Sequence, residues 1–182
     1  MRAFPGFGVW YNDIYSMSPD VKALSERLPE AALPYPESVG DRAKYVFWKF
    51  AYPAHNHIRN LLLKADLIHP PYIWRQDYVL GTIAPGRSVE ELLDHVARVG
   101  FRNHFVAWED ADEIASVRML VGFEWQFHLR VFRDGEVRGH YELTPESHPF
   151  RHYRKEGQCA RRDEFLALLG DWVVPTPVAH DA

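Results

Sequence analysis

The chain has 182 residues, a length that suits a single domain able to bury a proper hydrophobic core. Its formal net charge of −4 gives no general attraction to nucleic acid or to an anionic membrane, and we expect no membrane partner. Because Cys159 is the single cysteine, the sequence excludes an intramolecular disulfide and a zinc site built on cysteine ligands.

The first third of the chain, about residues 18–68, is predicted to be mainly helical. Ser18 before Pro19 is typical of a helix start. Apolar residues at helical spacing favour a second helix over residues 55–67. Residues 42–51 fit either a helix or a strand. The chain shows neither the apolar core of a secretory signal nor a stretch long enough to span a bilayer, so we expect a cytoplasmic protein.

From about residue 72 to residue 174 the pattern predicts a sheet with helices. The expected elements are strands over residues 72–83 and 102–108, a helix over residues 88–99 and a C-terminal helix around residues 165–172. Ser88 and Glu91 have the spacing of a capping box, which predicts where the helix begins. Two prolines end the last helical pattern, and residues 175–182 are expected to form a loose tail.

The segment GTIAPGRS at residues 81–88 has the spacing of a phosphate-binding P-loop between a strand and a helix. Arg87 stands where that motif needs lysine, and Pro85 removes a backbone N–H from the phosphate cradle. The capping box already accounts for Ser88. The segment therefore predicts a structural turn and not a nucleotide site.

Residues 124–144 are predicted to form a long β-hairpin, because apolar and polar residues alternate on both arms. A three-residue loop ending at Gly135 places Val131 opposite Val137 and brings the apolar residues to one face. A two-residue loop would put the two apolar faces on opposite sides, since a slip of one residue turns every side chain over. The pattern therefore favours the longer loop, with Gly135 at positive φ.

The same register collects polar side chains on the other face of the hairpin. The predicted cross-strand pairs are Gln126 with Glu142, His128 with His140, and Arg130 with Arg138. Like charges directly opposite each other destabilise a sheet, so the two arginines require an anion, a carboxylate or solvent. We expect Gln126, Arg130 and Arg138 to bind a small anionic ligand, because guanidinium groups suit phosphate and carboxylate oxygens.

Histidine and carboxylate side chains in and after the hairpin form a candidate metal site. The candidate ligands are His128, His140, Glu142, Glu146 and His148. Such donors suit zinc or manganese, and three of them with an open position would be catalytic. We expect His128, His140 and Glu142 to be the catalytic residues, as acid and base or as metal ligands. The alternative is a solvated sheet face, since the spacing matches no metal signature.

The basic run at residues 151–162 supports a second hypothesis, in which the protein binds nucleic acid. Its candidate contacts are Arg151, Arg154, Lys155, Arg161 and Arg162. The chain as a whole lacks the basicity that is typical of nucleic-acid-binding domains. A third hypothesis is a protein-interaction domain whose sheet face docks a partner through tryptophan and tyrosine side chains.

The order of elements predicts a single α+β domain over residues 1–182, with a largely antiparallel sheet and helices packed on one side. The favoured function is an intracellular enzyme or binding protein that acts on a small anionic ligand over the polar face of the hairpin. For an enzyme, metal-assisted phosphoester hydrolysis is the expected reaction class. The sequence leaves open whether that face is a pocket or a plain surface.

Overall fold

The computed structural model of the protein describes residues 24, 27–29, 38–51, 61, 65, 78–103, 112–148, 151–152 and 157–177. Most of the helix predicted from Ser18 lies outside these residues. So does most of the helix predicted over residues 55–67, within which Ala65 N donates a hydrogen bond to Leu61 O (2.9 Å).

Seven strands form one sheet in the described part of the chain, and all of its pairings are antiparallel. The strands are β1 (Val79–Ile83), β2 (Arg102–Asn103), β3 (Glu113–Val121), β4 (Trp125–Phe132), β5 (Glu136–Leu143), β6 (Gln158–Cys159) and β7 (Val173–Pro175). Their order across the sheet is β2-β3-β4-β5-β1-β7, and β6 pairs with β5. Together with the helices, this sheet confirms the predicted α+β class.

Three helices accompany the sheet within the described residues: α1 (Val39–Ala51), α2 (Val89–Val99) and α3 (Arg162–Leu169). The helix α1 settles the ambiguity over residues 42–51. The helix α2 begins at the predicted capping box, in which Glu91 N donates to Ser88 Oγ (3.2 Å) and Ser88 N donates to Glu91 Oε2 (2.9 Å). Ser88 is thus bonded to the backbone of its own helix.

The predicted hairpin register is confirmed. Val131 pairs with Val137, His128 with His140 and Arg130 with Arg138 across β4 and β5. Gly135 has a φ of +86°, which is the left-handed conformation that the three-residue loop requires. The division of the hairpin into an apolar and a polar face follows from this register.

The apolar face of the hairpin packs against α2 and α3. Fully buried side chains from these helices are Leu92, Leu93, Val96, Phe165 and Leu169. Gly139 on β5 permits this packing, because a Cβ at that position would lie 2.7 Å from Phe165 Cε1. Since α2 and α3 cover the apolar face, the polar residues of β4 and β5 lie on the opposite face of the sheet.

The strands β3 and β7 are not predicted by the sequence pattern. The strand β3 pairs with β4 along nearly its whole length. The strand β7 pairs with β1, and Thr176 N donates to Leu80 O (3.1 Å), so the chain stays in the sheet where a loose tail was expected from residue 175. Within the described residues, no helix is both long and apolar enough to cross a membrane.

Candidate functional site

Three neighbouring strands supply the polar face of the sheet. Its members are Ser116 and Arg118 from β3, Gln126, His128 and Arg130 from β4, and Arg138, His140 and Glu142 from β5. Arg118, Gln126 and Glu142 are only 1–3% exposed. A solvated sheet face therefore does not describe these three residues.

The carboxylate of Glu142 lies at the centre of this polar face. His128 Nδ1 is 3.2 Å from Glu142 Oε1, and His140 Nε2 is 2.9 Å from Glu142 Oε2. A third imidazole, that of His152, places its Nδ1 3.5 Å from Oε2 and 2.6 Å from the carbonyl oxygen of Leu143. One buried carboxylate thus has three imidazoles around it.

The donor atoms of His128, His140 and Glu142 all lie within 4.8 Å of one another. In a four-coordinate zinc site with bonds of 2.0–2.2 Å, neighbouring donor atoms are roughly 3.4 Å apart. His128 and His140 approach different oxygens of Glu142, at 3.2 and 2.9 Å, which are hydrogen-bond distances. The three side chains are thus close enough to share a divalent cation once they turn their donor atoms toward a common centre.

Neighbouring polar groups hold these donors in place. Ser116 Oγ is 2.8 Å from His128 Nε2, the ring nitrogen that faces away from Glu142. A hydroxyl both donates and accepts, so Ser116 can serve either tautomer of His128. Gln126 Nε2 donates to Glu142 Oε1 (2.6 Å), which orients the carboxylate. Such outer partners are typical of metal ligands, because they set ring orientation and tautomer.

Burial shapes the charge states of the group. Burial lowers the pKa of His128 below its usual 6.5, although the charge of Glu142 and a hydrogen bond with it act in the opposite direction. His128 is therefore neutral at pH 7, and the neutral imidazole is the form that binds metals. For Glu142, burial favours a higher pKa, but the imidazoles around it, His152 first and then His140, together with a hydrogen bond with His128, outweigh burial and hold that pKa well below the usual range.

Three other carboxylates on or beside this face are each paired with an arginine. Arg118 Nη1 donates to both oxygens of Glu146, at 2.9 and 3.2 Å. The other two ion pairs are Arg130 with Glu113 and Arg138 with Glu136. Glu142 differs from all three, because no arginine or lysine contacts it among the described residues. Its positive partners are limited there to imidazoles, one of which burial keeps neutral.

The five predicted metal ligands fall into two sets. His128, His140 and Glu142 come together as described, whereas Glu146 lies in its ion pair with Arg118. His148 Nδ1 is 3.0 Å from Ser147 Oγ, and His148 is not part of the group. Glu146 is connected to Glu142 only indirectly, since Arg118 Nη1 also donates to Gln126 Oε1 and Gln126 Nε2 donates to Glu142 Oε1.

The arginine pair has internal partners. Arg130 and Arg138 stand opposite each other as predicted, and both guanidinium groups lie over the ring of Phe132, at 5.4 and 4.9 Å from its centroid. The sequence left Glu136 and Glu142 as internal alternatives to an external anion; Glu136 does pair with Arg138, whereas the partner of Arg130 is Glu113 and not Glu142. Arg138 Nη1 is nevertheless buried with no hydrogen-bond partner among the described residues.

Two arginines of the basic run make contacts within the fold. The guanidinium of Arg161 lies 3.9 Å from the centroid of the Tyr141 ring and pairs with Glu164. Arg162 donates to the carbonyl oxygens of Val79 and Thr176 and so ties α3 to β1 and to the residue after β7. Arg151 is exposed, and Arg154 and Lys155 lie outside the described residues. The described arginines of this run thus give the nucleic-acid hypothesis little support.

Three residues of the site were not predicted from the sequence: Glu113, Ser116 and Arg118. All three lie on β3, where Ser116 and Arg118 alternate with the buried residues Ala115 and Val117. That alternation is the signal that would have found the strand. His152 belongs to the run of histidines and carboxylates in and after the hairpin, although it is not one of the five predicted ligands.

Comparisons of the chain with protein-family models, with curated proteins and with solved structures give no match. The chemistry of the polar face is therefore inferred from its own residues.

Proposed function

We propose that the protein binds a divalent metal ion at His128, His140 and Glu142 and uses it in the hydrolysis of a small anionic ester. The observation that carries the proposal is the charge balance of the polar face. Three carboxylates there have an arginine each, whereas Glu142 is buried with imidazoles alone among the described residues. A buried carboxylate needs positive charge or hydrogen-bond donors beside it, and a divalent cation shared with His128 and His140 would add the full charge that an arginine supplies to the other three.

The donor set matches the chemistry of catalytic metals. Two imidazoles and one carboxylate, with the remaining positions open, form one of the usual ligand sets of catalytic zinc, and manganese accepts the same donors. A metal at such a site makes bound water acidic enough to be a nucleophile near neutral pH. The side chains of His128 and His140 keep 15% and 12% exposure, so the group is reached from solvent.

Arg138 is the residue best placed to bind the anionic part of a substrate. It lies two residues from His140 on the same face of β5, a spacing of roughly 6.6 Å along a strand. Its side chain keeps 16% exposure, and its guanidinium contacts Glu136 through Nε, which leaves the Nη groups to turn toward a ligand. A planar guanidinium suits the oxygens of a phosphoryl group, so phosphoesters are the favoured substrate class.

The test is hydrolysis of 4-nitrophenyl phosphate and bis(4-nitrophenyl) phosphate by the full chain, with 4-nitrophenyl acetate as the uncharged comparison. We expect activity on a phosphoester that a chelator removes and that zinc or manganese restores. Glu142→Gln should abolish it, whereas His148→Ala should retain it. Turnover that is indifferent to the chelator, or absent with either metal, would contradict the proposal.

The role of Arg138 is tested with the same esters. Arg138→Gln should raise the KM for the phosphoester about 10-fold or more, the effect of losing a hydrogen bond to a charged group. Arg151→Gln is the matched control, because Arg151 is an exposed arginine that belongs to no strand of the sheet. An equal KM in both variants would exclude Arg138 from substrate binding.

A further inference from the structure

The backbone at the start of β1 is irregular next to the candidate metal group. Tyr78, directly before β1, has a φ of +78°. A left-handed φ is unfavourable for a residue with a bulky side chain and persists only where the surroundings impose it. Glycine takes this conformation without that penalty. The backbone conformation therefore gives no reason for a tyrosine at position 78, and the reason lies in the contacts of its side chain.

A second irregularity lies at the same point. The register of β1 against β5 shifts between Val79, which pairs with Arg138, and Gly81, which pairs with Val137. The carbonyl oxygen of Tyr78 accepts a hydrogen bond from Gly139 N (3.0 Å), the residue between Arg138 and His140. Shifts of this kind re-aim side chains and are frequent beside active sites. Both irregularities therefore act on the stretch of β5 that carries the site.

The ring of Tyr78 is brought against His140 by this arrangement. The two ring centroids are 5.3 Å apart with an interplanar angle of 37°. The same imidazole contacts the ring of His128 (4.9 Å, 68°) and, through Nε2, the carboxylate of Glu142. Contacts with Tyr78 and His128 restrict rotation of the imidazole, and that rotation decides whether Nε2 or Nδ1 faces Glu142.

We propose that Tyr78 is a positioning residue, which uses its left-handed conformation to hold the imidazole of His140 with Nε2 toward Glu142. The expected effect on metal affinity rests on the proposed function, because it requires His140 to be a metal ligand. The effect of Tyr78 on the orientation of the His140 ring is independent of the proposed function. Partners that orient a ligand typically change metal affinity 10- to 100-fold when they are removed.

The test separates the ring of Tyr78 from its backbone. Tyr78→Gly should leave the melting temperature equal or higher, because the unfavourable φ is relieved, and should weaken zinc binding at least 10-fold in a competition titration. Tyr78→Phe should bind zinc like the parent. Asp112→Gly is the matched control, because Asp112 also has a positive φ (+64°), and this change should leave zinc affinity unaltered. Equal zinc affinity in Tyr78→Gly and the parent would overturn the proposal.

Two further measurements keep the result decisive. If Tyr78→Gly does not fold, Tyr78→Leu replaces it, since leucine keeps apolar bulk without a ring and should show the same loss of affinity. If the parent binds no zinc, the proposed function fails, and the ¹⁵N spectrum of histidine-labelled protein still reports the imidazole. In the parent we expect the ¹⁵N chemical shifts of a single tautomer of His140. In the Tyr78 variant we expect averaged shifts for its two ring nitrogens, and His140→Gln identifies which signals belong to His140. An unchanged His140 signal would refute the positioning role.

Discussion

Removing Arg118 should show how much the stability of the protein depends on the ion pairs of the polar face. Arg118 is 3% exposed and donates to both oxygens of Glu146, which is fully buried, and to Gln126 Oε1 (3.2 Å). In Arg118→Met, Glu146 keeps a buried charge without its partner. Loss of one member of a buried ion pair costs about 3–5 kcal/mol.

The expected effect is large enough to measure by urea denaturation at pH 7.5. With an m-value of about 2 kcal/mol per molar, the midpoint of Arg118→Met should fall by about 2 M. The double variant Arg118→Met with Glu146→Leu should be more stable than Arg118→Met alone, because replacing both members of a buried pair with apolar groups removes the unpaired charge. Glu164→Gln is the control: it breaks an exposed pair with Arg161 and should leave the midpoint unchanged.

The losses of unfolding free energy caused by Arg118→Met and by Glu146→Leu should not sum to the loss in the double variant. A simple sum would refute the mutual dependence of the two charges. Additivity would mean that the two side chains do not depend on each other for burial. The comparison of Glu142 with the paired carboxylates would then lose its physical basis.

Three further predictions concern the fold and its response to pH. Gly81→Ala should destabilise the protein severely in a thermal melt, since a Cβ there would lie 2.0 Å from the carbonyl oxygen of Val174; an unchanged melting temperature would contradict the β1–β7 pairing. Ser88→Ala should cost about 1 kcal/mol in urea denaturation through loss of the helix cap, and no cost would argue against the cap. Metal-stripped protein should lose stability as the pH falls below 6.5 toward the lower folded-state pKa of His128. In this range His128 is protonated in the unfolded chain but still neutral in the folded chain, so acid favours unfolding. His128→Gln should weaken this pH dependence, and an identical dependence in that variant would exclude His128 as its source.

The hairpin register could be predicted from the sequence because the residues that determine it are close together in the chain. Alternation along two arms and Gly135 at the end of the loop leave one register that unites the apolar residues, and the structure has that register. The capping box of α2 is local in the same sense, since Ser88 and Glu91 bond to each other's backbone. Both features depend on residues within a short stretch of chain.

Two of the carboxylates that pair with the arginines of the polar face could not be predicted from the sequence, because they lie far along the chain from those arginines. The position of Arg130 opposite Arg138 was predicted correctly, but the carboxylate of Glu113 that pairs with Arg130 lies on β3, which the pattern did not reveal. The ion pair of Arg118 with Glu146 joins residues 28 positions apart. Burial of the face likewise depends on tertiary packing, so the sequence could not separate a pocket from a surface.

The central claim is that Glu142 is compensated by a metal ion held with His128 and His140. Its most direct test is calorimetric titration of zinc into the metal-stripped full chain at pH 7.5, beside Glu142→Gln and the control His148→Ala. The parent and His148→Ala should each bind one equivalent of zinc, and Glu142→Gln should bind none. Absence of binding to the parent, or an unchanged equivalent in Glu142→Gln, would contradict it.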